Sequence, residues 1–187
     1  MQMKVLSETL IYDGWLSLRD FQVQLPNGAA EQRHVESHGD AAAVLAYDPA
    51  RRCAILITQP RLSVFLAGAE PVLEAVAGRL DGLDPEAAVR KEAMEEAGIA
   101  IGEVQLVSRI WSMPALSSER LWLYLAEYEP SSRTGEGGGA DDENECIEVH
   151  ELPLDHLARL AVAGELTDGK TLILVQALQL RRPDLFS

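Results

Sequence analysis

The sequence GRLDGLDPEAAVRKEAMEEAGI, residues 78–99, decides the fold because it has the signals of a helix with a defined start and end. Asp84 suits the cap before the first turn, Pro85 suits the first helical position, and Gly98 suits the stop. The last turns of this predicted helix also carry a cluster of carboxylates: Glu92, Glu95 and Glu96. Glutamates one helical turn apart repel each other mildly in water. The cluster is therefore expected to have a positively charged partner.

Residue spacing predicts which sides of this helix face the core and which face a cleft. The apolar residues share one side: Val89, Ala93 and Ala97, with Met94 nearby. Glu92 and Glu96 share an adjoining side and are flanked by Glu95. Mg²⁺ prefers oxygen ligands that it shares with substrate phosphates, and carboxylates one turn apart can supply them. The alternative is a solvated acidic face, in which Lys91 and Glu95 form an ordinary ion pair.

Length and charge limit the class of protein. The 187 residues fit one domain with a small appended element, and 47% hydrophobic residues suffice for a sizeable core. A net charge of −14 argues against nucleic acid and membrane partners, but not against a small polyanion held through a divalent cation. Cys53 and Cys146 make no disulfide framework, and no leader or membrane span is expected. These features predict a cytoplasmic protein.

Alternating and apolar runs predict strands on both sides of the glutamate helix. Two hairpins are expected before it: residues 15–25 with 31–37, and residues 41–47 with 53–59. Further elements are expected after it: strands at 103–111, 120–128 and 146–152, and helices at 154–162 and 169–180. This mixture predicts an α/β sandwich around a mixed sheet. N-terminal strands are assigned to residues 1–40, and the main domain to residues 41–187.

The glutamate stretch resembles the Nudix box, G-x5-E-x7-R-E-U-x-E-E-x-G-U, in which U is a bulky apolar residue. The matching positions are these: Gly78, Glu92, Glu95, Glu96, Gly98 and Ile99. Lys91 replaces the arginine of the pattern, Ala93 is a small U, and Asp84 stands in place of the first glutamate. The span from Gly78 to Lys91 is also one residue shorter. A lysine pairs less well than a forked arginine with a carboxylate, and Arg90 is a candidate substitute.

Other segments extend the resemblance over nearly the whole chain: RKEAMEEAG, GGGADDENECIEV, GELTDGKT and QPR, with Pro114 after the box. Within the Nudix hydrolase family they are similar to the GDP-mannose pyrophosphatase subgroup, which is related to the ADP-ribose pyrophosphatases. The resemblance implies a Nudix α/β/α sandwich with a mixed sheet and N-terminal β-hairpin strands. It also implies Mg²⁺-dependent hydrolysis, with Mn²⁺ as an alternative ion, of the pyrophosphate bond of a nucleoside diphosphate sugar. GDP-mannose is expected first and ADP-ribose second.

Two other functions stay open at this point. Lys91 and the shortened box favour a catalytically weak Nudix relative that binds or senses a nucleotide sugar without cleaving it. An acidic structural protein, whose helix only resembles the motif, is the remaining alternative.

By this resemblance, a divalent ion is held by the carbonyl of Ala77 and by the carboxylates of Glu92, Glu96 and Glu145, and Glu95 takes part in binding a further ion. The residues implied in catalysis are Glu143, Glu95 and Glu96. Glu143 is the candidate general base or water-orienting group, and the choice between Glu143 and Glu145 as the base stays open. Glycines at 137–139 would let the acidic segment 131–145 close over substrate. The alternative is a disordered, solvated acidic segment.

The resemblance also implies a set of substrate-contacting residues: Trp15, Arg33, Arg61, Gly78, Glu119 and Lys170. Trp15 is expected to pack on the nucleoside, with a tryptophan of the core as the alternative. Arg33 and Arg61 are alternatively surface arginines, and Lys170 is alternatively an ordinary lysine at a helix start.

In the relatives the N-terminal strands exchange between subunits. Trp15 and Arg33 would then complete the site of the neighbour in a homodimer. No role is assigned to the histidines, because the sequence shows no partners for them: His34, His38, His150 and His156.

Overall fold

The computed structural model describes residues 2–139 and 146–186. Its strands are β1 (Lys4–Asp13), β2 (Ser17–Gln24), β3 (Ala30–Ser37), β4 (Ala41–Asp48), β5 (Cys53–Thr58), β6 (Val76–Arg79), β7 (Val104–Trp111), β8 (Arg120–Glu127) and β9 (Glu148–Pro153). Its helices are α1 (Leu62–Leu66), α2 (Pro85–Ala97), α3 (Leu154–Ala163) and α4 (Gly169–Arg181). None of the helices in the described residues has the length and apolar character needed to cross a membrane.

The chain divides into two compact units. One comprises Met1–Asp40 with Ile110–Leu121, and the other comprises Ala41–Arg109 with Trp122–Ser187. Residues 110–121 thus join the N-terminal strands, which the sequence did not indicate. The domain roles assigned to residues 1–40 and 41–187 stay predictions.

The first unit is built on an antiparallel sheet of order β1-β2-β3. The predicted hairpin is the β2–β3 pair, and its turn uses Gly28 at φ 86°. Strand β1 was not predicted. Its pairing with β2 has register shifts between Val5 and Ser7 and between Leu10 and Tyr12. Such irregularities interrupt the period-2 alternation from which a strand is recognised.

The second unit contains, within the described residues, a sheet of order β7-β8-β4-β5-β9, with β6 also paired to β4. Residues 41–44 of β4 pair with β6, and residues 46–48 pair with β5 in the predicted hairpin. Every residue of β4 is buried. This mixture of a sheet with helices confirms the predicted α/β class.

Helix α2 covers the part of the sheet that carries β6. Val89, Ala93 and Ala97 are buried in the same core cluster as Val44 of β4, as the spacing predicts. Met94 does not join this side, because one residue beyond Ala93 the helix has turned by about 100°. It is 40% exposed.

The ends of α2 follow the sequence signals. Asp84 Oδ1 accepts hydrogen bonds from the N–H groups of Glu86 and Ala87, each at 3.1 Å, and Gly98 ends the helix at φ 67°. Helices α3 and α4 each extend one residue beyond the predicted end. Neither α1 nor β6 was predicted, because a helix of five residues and a strand of four are too short to show a period.

Candidate active site

Glu96 of α2 is buried against strand β6. The residue is 2% exposed, and its Oε2 accepts a hydrogen bond from the N–H of Ala77 at 3.1 Å. A carboxylate removed from water is costly unless it is hydrogen-bonded. The alternative of a fully solvated acidic face is therefore wrong for Glu96. The ion pair that this alternative included is nevertheless present, with Lys91 Nζ 2.5 Å from Glu95 Oε2.

Glu92 reaches the next residue of the same strand. A Cβ atom added to Gly78 would lie 2.1 Å from Cδ of Glu92, so the carboxyl group fills the space beside this glycine. Gly78 is thus required for a close approach of a side chain, and not for a turn. The two carboxylates that lie one turn apart on α2 meet consecutive residues of β6, Ala77 and Gly78.

The main chain of Ala77 adds an oxygen to this pair of carboxylates. The N–H and C=O of one residue point to the same edge of an extended strand. Because the Ala77 N–H points to Glu96, the Ala77 carbonyl faces the same edge. Carboxylate and carbonyl oxygens are the hard donors that Mg²⁺ and Mn²⁺ accept, so Glu92, Glu96 and Ala77 fit part of a divalent ion's ligand set.

Glu95 is the remaining predicted ligand that lies in the described residues. Among residues 2–139 and 146–186, no group of three or more His, Cys, Asp or Glu side chains is arranged to hold a metal ion. Glu95 is partly exposed and pairs with Lys91. The predicted ligand Glu145 and the predicted base Glu143 lie outside the described residues. The metal-binding and catalytic roles therefore stay predictions.

A glycine-rich segment is fixed to the end of α2. The N–H groups of Gly138 and Gly139 donate to the carbonyls of Glu96 and Glu95, at 2.9 and 3.1 Å. Gly137 has φ +75°, and a Cβ there would lie 2.4 Å from the Glu96 carbonyl oxygen. The sequence predicted these glycines as a means of closing over substrate. In the structure, Gly137 allows the main chain to pack directly on the carbonyl of Glu96 in α2.

Sequence reasoning missed Glu74, which joins two of the predicted substrate-binding cations. Its Oε1 accepts from Arg61 Nε at 2.9 Å, and its Oε2 accepts from Arg61 Nη2 at 2.9 Å and from Lys170 Nζ at 2.6 Å. The main chain of Glu74 is also paired with Ile57 through two hydrogen bonds of 2.8 Å. A lone glutamate within the apolar run PVLEAVAG, residues 71–78, was the available signal.

Glu74 is charged despite its burial. The residue is 4% exposed, and burial opposes ionisation, but the hydrogen bonds and charges of Arg61 and Lys170 outweigh it and lower the pKa of Glu74. Lys170 Nζ also lies 3.0 Å from Asp168 Oδ1, at the start of α4. Lys170 is therefore a helix-start lysine, as one prediction had it, but it is also held beside Arg61.

In the first unit, Trp15 stacks on His38. The ring centroids are 5.2 Å apart and the planes differ by 13°. Trp15 is 69% exposed, so the alternative of a core tryptophan is wrong. Glu119 Oε1 lies 3.2 Å from the Nε2 of His38, and this partner was missed in the sequence. Arg33 on β3 is exposed, with its Nη1 3.1 Å from Glu31 Oε2.

The departures from the Nudix box have structural roles of their own. Asp84 caps α2, as described above. Lys91 lies 3.6 Å from Glu92 Oε1 in addition to its contact with Glu95. Arg90 donates to the main-chain oxygen of Glu86 at 3.0 Å. This contact is on the first turn of α2, so the structure does not show Arg90 taking over the place of the box arginine.

Comparisons with known proteins agree with this geometry. The family model of the NUDIX domain matches residues 37–173. The chain belongs to the Nudix family. It is a Nudix hydrolase, of the class that acts on pyrophosphate bonds. The predicted family is thereby confirmed.

Curated relatives of this Nudix hydrolase match over nearly its full length. The GDP-mannose pyrophosphatase of Klebsiella pneumoniae subsp. pneumoniae is 34% identical over 185 residues, which are 96% of this chain and 92% of the relative. That of Salmonella arizonae is 34% identical over 182 residues, or 94% of each chain. That of Escherichia coli O1:K1 is 33% identical over 185 residues, or 96% of each chain. The predicted resemblance to this subgroup is confirmed.

A solved structure described as an ADP compounds hydrolase shares the fold. Its TM-score to this chain is 0.77 at 16% sequence identity, and the match covers 98% of this chain and 96% of that one. This similarity concerns the fold alone, and it confirms the α/β Nudix architecture that the box predicted.

Proposed function

We propose that this Nudix hydrolase cleaves the pyrophosphate bond of a nucleoside diphosphate sugar in the presence of Mg²⁺, releasing a nucleoside monophosphate and a sugar phosphate. GDP-mannose is the first candidate substrate and ADP-ribose the second, and Mn²⁺ is the alternative ion. The observation that carries the proposal is the convergence of Glu92 and Glu96 on consecutive residues of β6. The names of the curated relatives support the substrate class.

The proposed ion site consists of Glu92, Glu96 and the Ala77 carbonyl, completed by Glu145 and with Glu95 beside a further ion. A bound Mg²⁺ supplies charge neutralisation at the phosphate oxygens and lowers the pKa of a bound water. The residues of the chain position the carboxylates and the attacking water. The N–H of Ala77 fixes one oxygen of Glu96, Gly78 leaves room for Glu92, and Glu143 is the proposed base or water-orienting group.

Arg61 and Lys170 are the proposed cations for the substrate phosphates, and Glu74 holds them together. An arginine fork matches phosphate oxygens well, and a lysine acts as a point charge. In the first unit, Trp15 is proposed to stack on the base, with Arg33 and Glu119 as polar contacts. The large exposed area of Trp15 supports this role.

A binding protein that senses a nucleotide sugar is the second candidate. The contacts of Lys91 with both Glu95 and Glu92 favour it, because a lysine can neutralise these carboxylates without a metal ion. The presence of Glu92, Glu95 and Glu96 favours the enzyme, since a protein that only binds the nucleotide sugar does not need all three carboxylates.

The test is a panel of nucleoside diphosphate sugars with Mg²⁺, with products separated by chromatography. Release of GMP from GDP-mannose supports the enzyme, and Glu96→Gln should remove nearly all turnover at unchanged far-ultraviolet circular dichroism. Glu86→Gln, on the exposed first turn of the same helix, is the control and should keep full turnover. Tight binding of GDP-mannose with no GMP released would favour the sensor. The family match excludes a structural protein that only resembles the motif. Absence of any effect of Mg²⁺ and nucleotide sugar on thermal stability would count against this substrate class.

We also propose a homodimer with exchanged N-terminal strands. Every residue of β1 is exposed, including Leu10 and Ile11, which leaves an apolar strand for a second copy to cover. Light scattering should give a dimer for the wild type and a monomer for Ile11→Glu, with Thr9→Glu as the control. A monomeric wild type would exclude the exchange. The acidic charge and the free cysteines support a cytoplasmic location without nucleic acid or membrane partners.

A further inference from the structure

His38 lies between two carboxylates of the first unit. Its Nδ1 is 2.9 Å from Glu36 Oε2, and its Nε2 is 3.2 Å from Glu119 Oε1. A neutral imidazole has only one N–H donor, so it can satisfy only one of these carboxylates. Donation to both requires the doubly protonated imidazolium. The geometry therefore assigns His38 a positive charge in this structure.

The ring joins two segments that are far apart in sequence. Glu36 belongs to β3, whereas Glu119 ends the segment 112–119 that follows β7. The main chains of these segments are already hydrogen-bonded, because Glu36 N–H donates to the Leu116 carbonyl at 2.9 Å and Ser118 N–H donates to the Glu36 carbonyl at 3.0 Å. The segment is thus fixed near its middle by its main chain. At its end, the carboxylate of Glu119 is tied to β3 through His38.

The same ring supports Trp15 from one side, in the stacked contact described above. A cationic imidazolium over an indole face is favoured by the negative charge of the π system. The indole still keeps most of its surface exposed. One histidine therefore touches two of the residues proposed to contact substrate, Trp15 and Glu119.

The surroundings favour the charged form of His38. Burial of the ring opposes protonation, but the hydrogen bond to Glu36 and the charges of Glu119 and Glu36 outweigh it and raise the pKa of His38. Burial likewise opposes ionisation of Glu36, but hydrogen bonds from Ser117 and His38 lower the pKa of that carboxyl. The neighbouring charges pair with each other, since Arg120 Nη2 lies 2.7 Å from Asp40 Oδ2. The carboxylates that face the ring in the described residues are therefore those of Glu36 and Glu119.

We propose that His38 is a positioning residue, whose protonated ring holds Glu119 and Trp15 in place for substrate, so that substrate binding weakens when the ring loses its proton. This inference rests on the proposed function for the role of those two residues. Loss of the proton leaves one carboxylate facing an unprotonated ring nitrogen, and that carboxylate turns away. The ring then releases either Glu119 or Glu36, and in either case the side-chain bridge Glu36–His38–Glu119 is broken, whereas the main-chain hydrogen bonds between β3 and the segment remain.

The sign of the pH effect follows from the direction of the shift. Because the pKa of His38 is raised in the folded chain, the tie is complete below the ordinary histidine pKa of about 6.5 and is lost as pH rises through the raised value. The lower limit of the pH range in which the tie holds is set by the lowered pKa of Glu36. The tie therefore holds between these two pKa values.

The first experiment measures the ring directly. The ¹H–¹³C resonances of the histidine rings are followed from pH 5 to 9, and His38 is assigned by its absence in His38→Gln. Its pKa should lie above 6.5 and should fall in Glu119→Gln, which keeps the ring in place. The indole N–H resonance of Trp15 should move with the same pKa and should be insensitive to pH in His38→Gln. The control is His34→Gln, a change on β3 at a more exposed ring, which should leave both titrations unchanged.

The second experiment measures substrate binding by the wild type, His38→Gln and His34→Gln over the same pH range. At pH 6 the KM for GDP-mannose should be about tenfold higher in His38→Gln than in the wild type. As pH rises through the pKa of His38, KM should rise in the wild type and should stay unchanged in His38→Gln. kcat should change much less than KM. A His38 pKa below 6.5, or a Trp15 resonance that does not change with the His38 titration, would contradict the proposed contacts of the protonated ring. A normal titration with an unchanged KM in His38→Gln would overturn the positioning role. A wild type that cleaves no nucleotide sugar would instead overturn the proposed function and leave the titration result standing.

Discussion

The carboxyl group of Glu92 occupies the space that a side chain on Gly78 would need. The two residues are 14 positions apart in sequence, on α2 and β6, and Gly78 cannot gain a side chain unless Glu92 moves. The Nudix box therefore specifies a contact between a strand and a helix, in addition to a set of ligands.

Gly78→Ala should reduce turnover by at least tenfold, because the new Cβ must displace the Glu92 carboxylate or push β6 from α2. Overpacking of this kind typically costs about 1–3 kcal/mol of unfolding free energy. Turnover and urea unfolding would measure the two effects. Gly102→Ala is the matched control, since a Cβ there meets nothing within 4 Å. Equal behaviour of the two variants would contradict the close approach.

Glu74→Gln should weaken substrate binding through Arg61 and Lys170, which it holds in the second unit. Removal of the charge leaves a partly buried lysine with a poorer partner, at a cost of about 2 kcal/mol. KM for a nucleotide sugar and urea unfolding are the measurements. Glu70→Gln, at an exposed position close in sequence, should change neither.

The pH dependence of stability gives a separate check on Glu74. Its pKa is lowered in the folded chain, so its contribution is present above the ordinary glutamate value of about 4.3 and is lost as pH falls through the lowered value. Between pH 7 and pH 3 the wild type should therefore lose more stability than Glu74→Gln. Parallel pH profiles of unfolding free energy for the two proteins would mean that Glu74 is not held charged by its neighbours.

Asp84→Ala should destabilise the chain by about 1 kcal/mol, because two N–H groups in the first turn of α2 lose their acceptor. Asp84→Asn keeps an acceptor oxygen and should stay close to the wild type in thermal unfolding. Turnover should be nearly unchanged in both variants, since Asp84 lies at the opposite end of α2 from the glutamates. A large loss of turnover in Asp84→Asn would instead point to a role in the site.

Gly137→Ala should detach the glycine-rich segment from the end of α2. A Cβ there meets the carbonyl oxygen of Glu96, and the positive φ is strained for alanine. Hydrogen exchange at the N–H groups of Gly138 and Gly139 should accelerate, and turnover should fall. Gly135→Ala, whose Cβ would make only ordinary contacts, should leave exchange at these groups unchanged.

Local signals made α2 predictable. The start and the end of the helix are predicted by Asp84, Pro85 and Gly98. The resemblance to the Nudix box predicts the fold around the helix. Strand β1 was missed because bulges shift its side chains out of alternation. Glu74 and His38 were missed for a different reason. Their partners lie up to 96 residues away in the chain, so only the folded molecule brings the charges together.

The hydrogen bond between Ala77 and Glu96 has a further consequence for how variants are interpreted. A bare main-chain donor on a strand edge is a place where a second polypeptide can add itself. The buried glutamate shields that donor, so its truncation to alanine would favour self-association as well as remove an oxygen of the proposed ion site. Replacement by glutamine, which keeps an oxygen in reach, separates loss of charge from loss of this shielding.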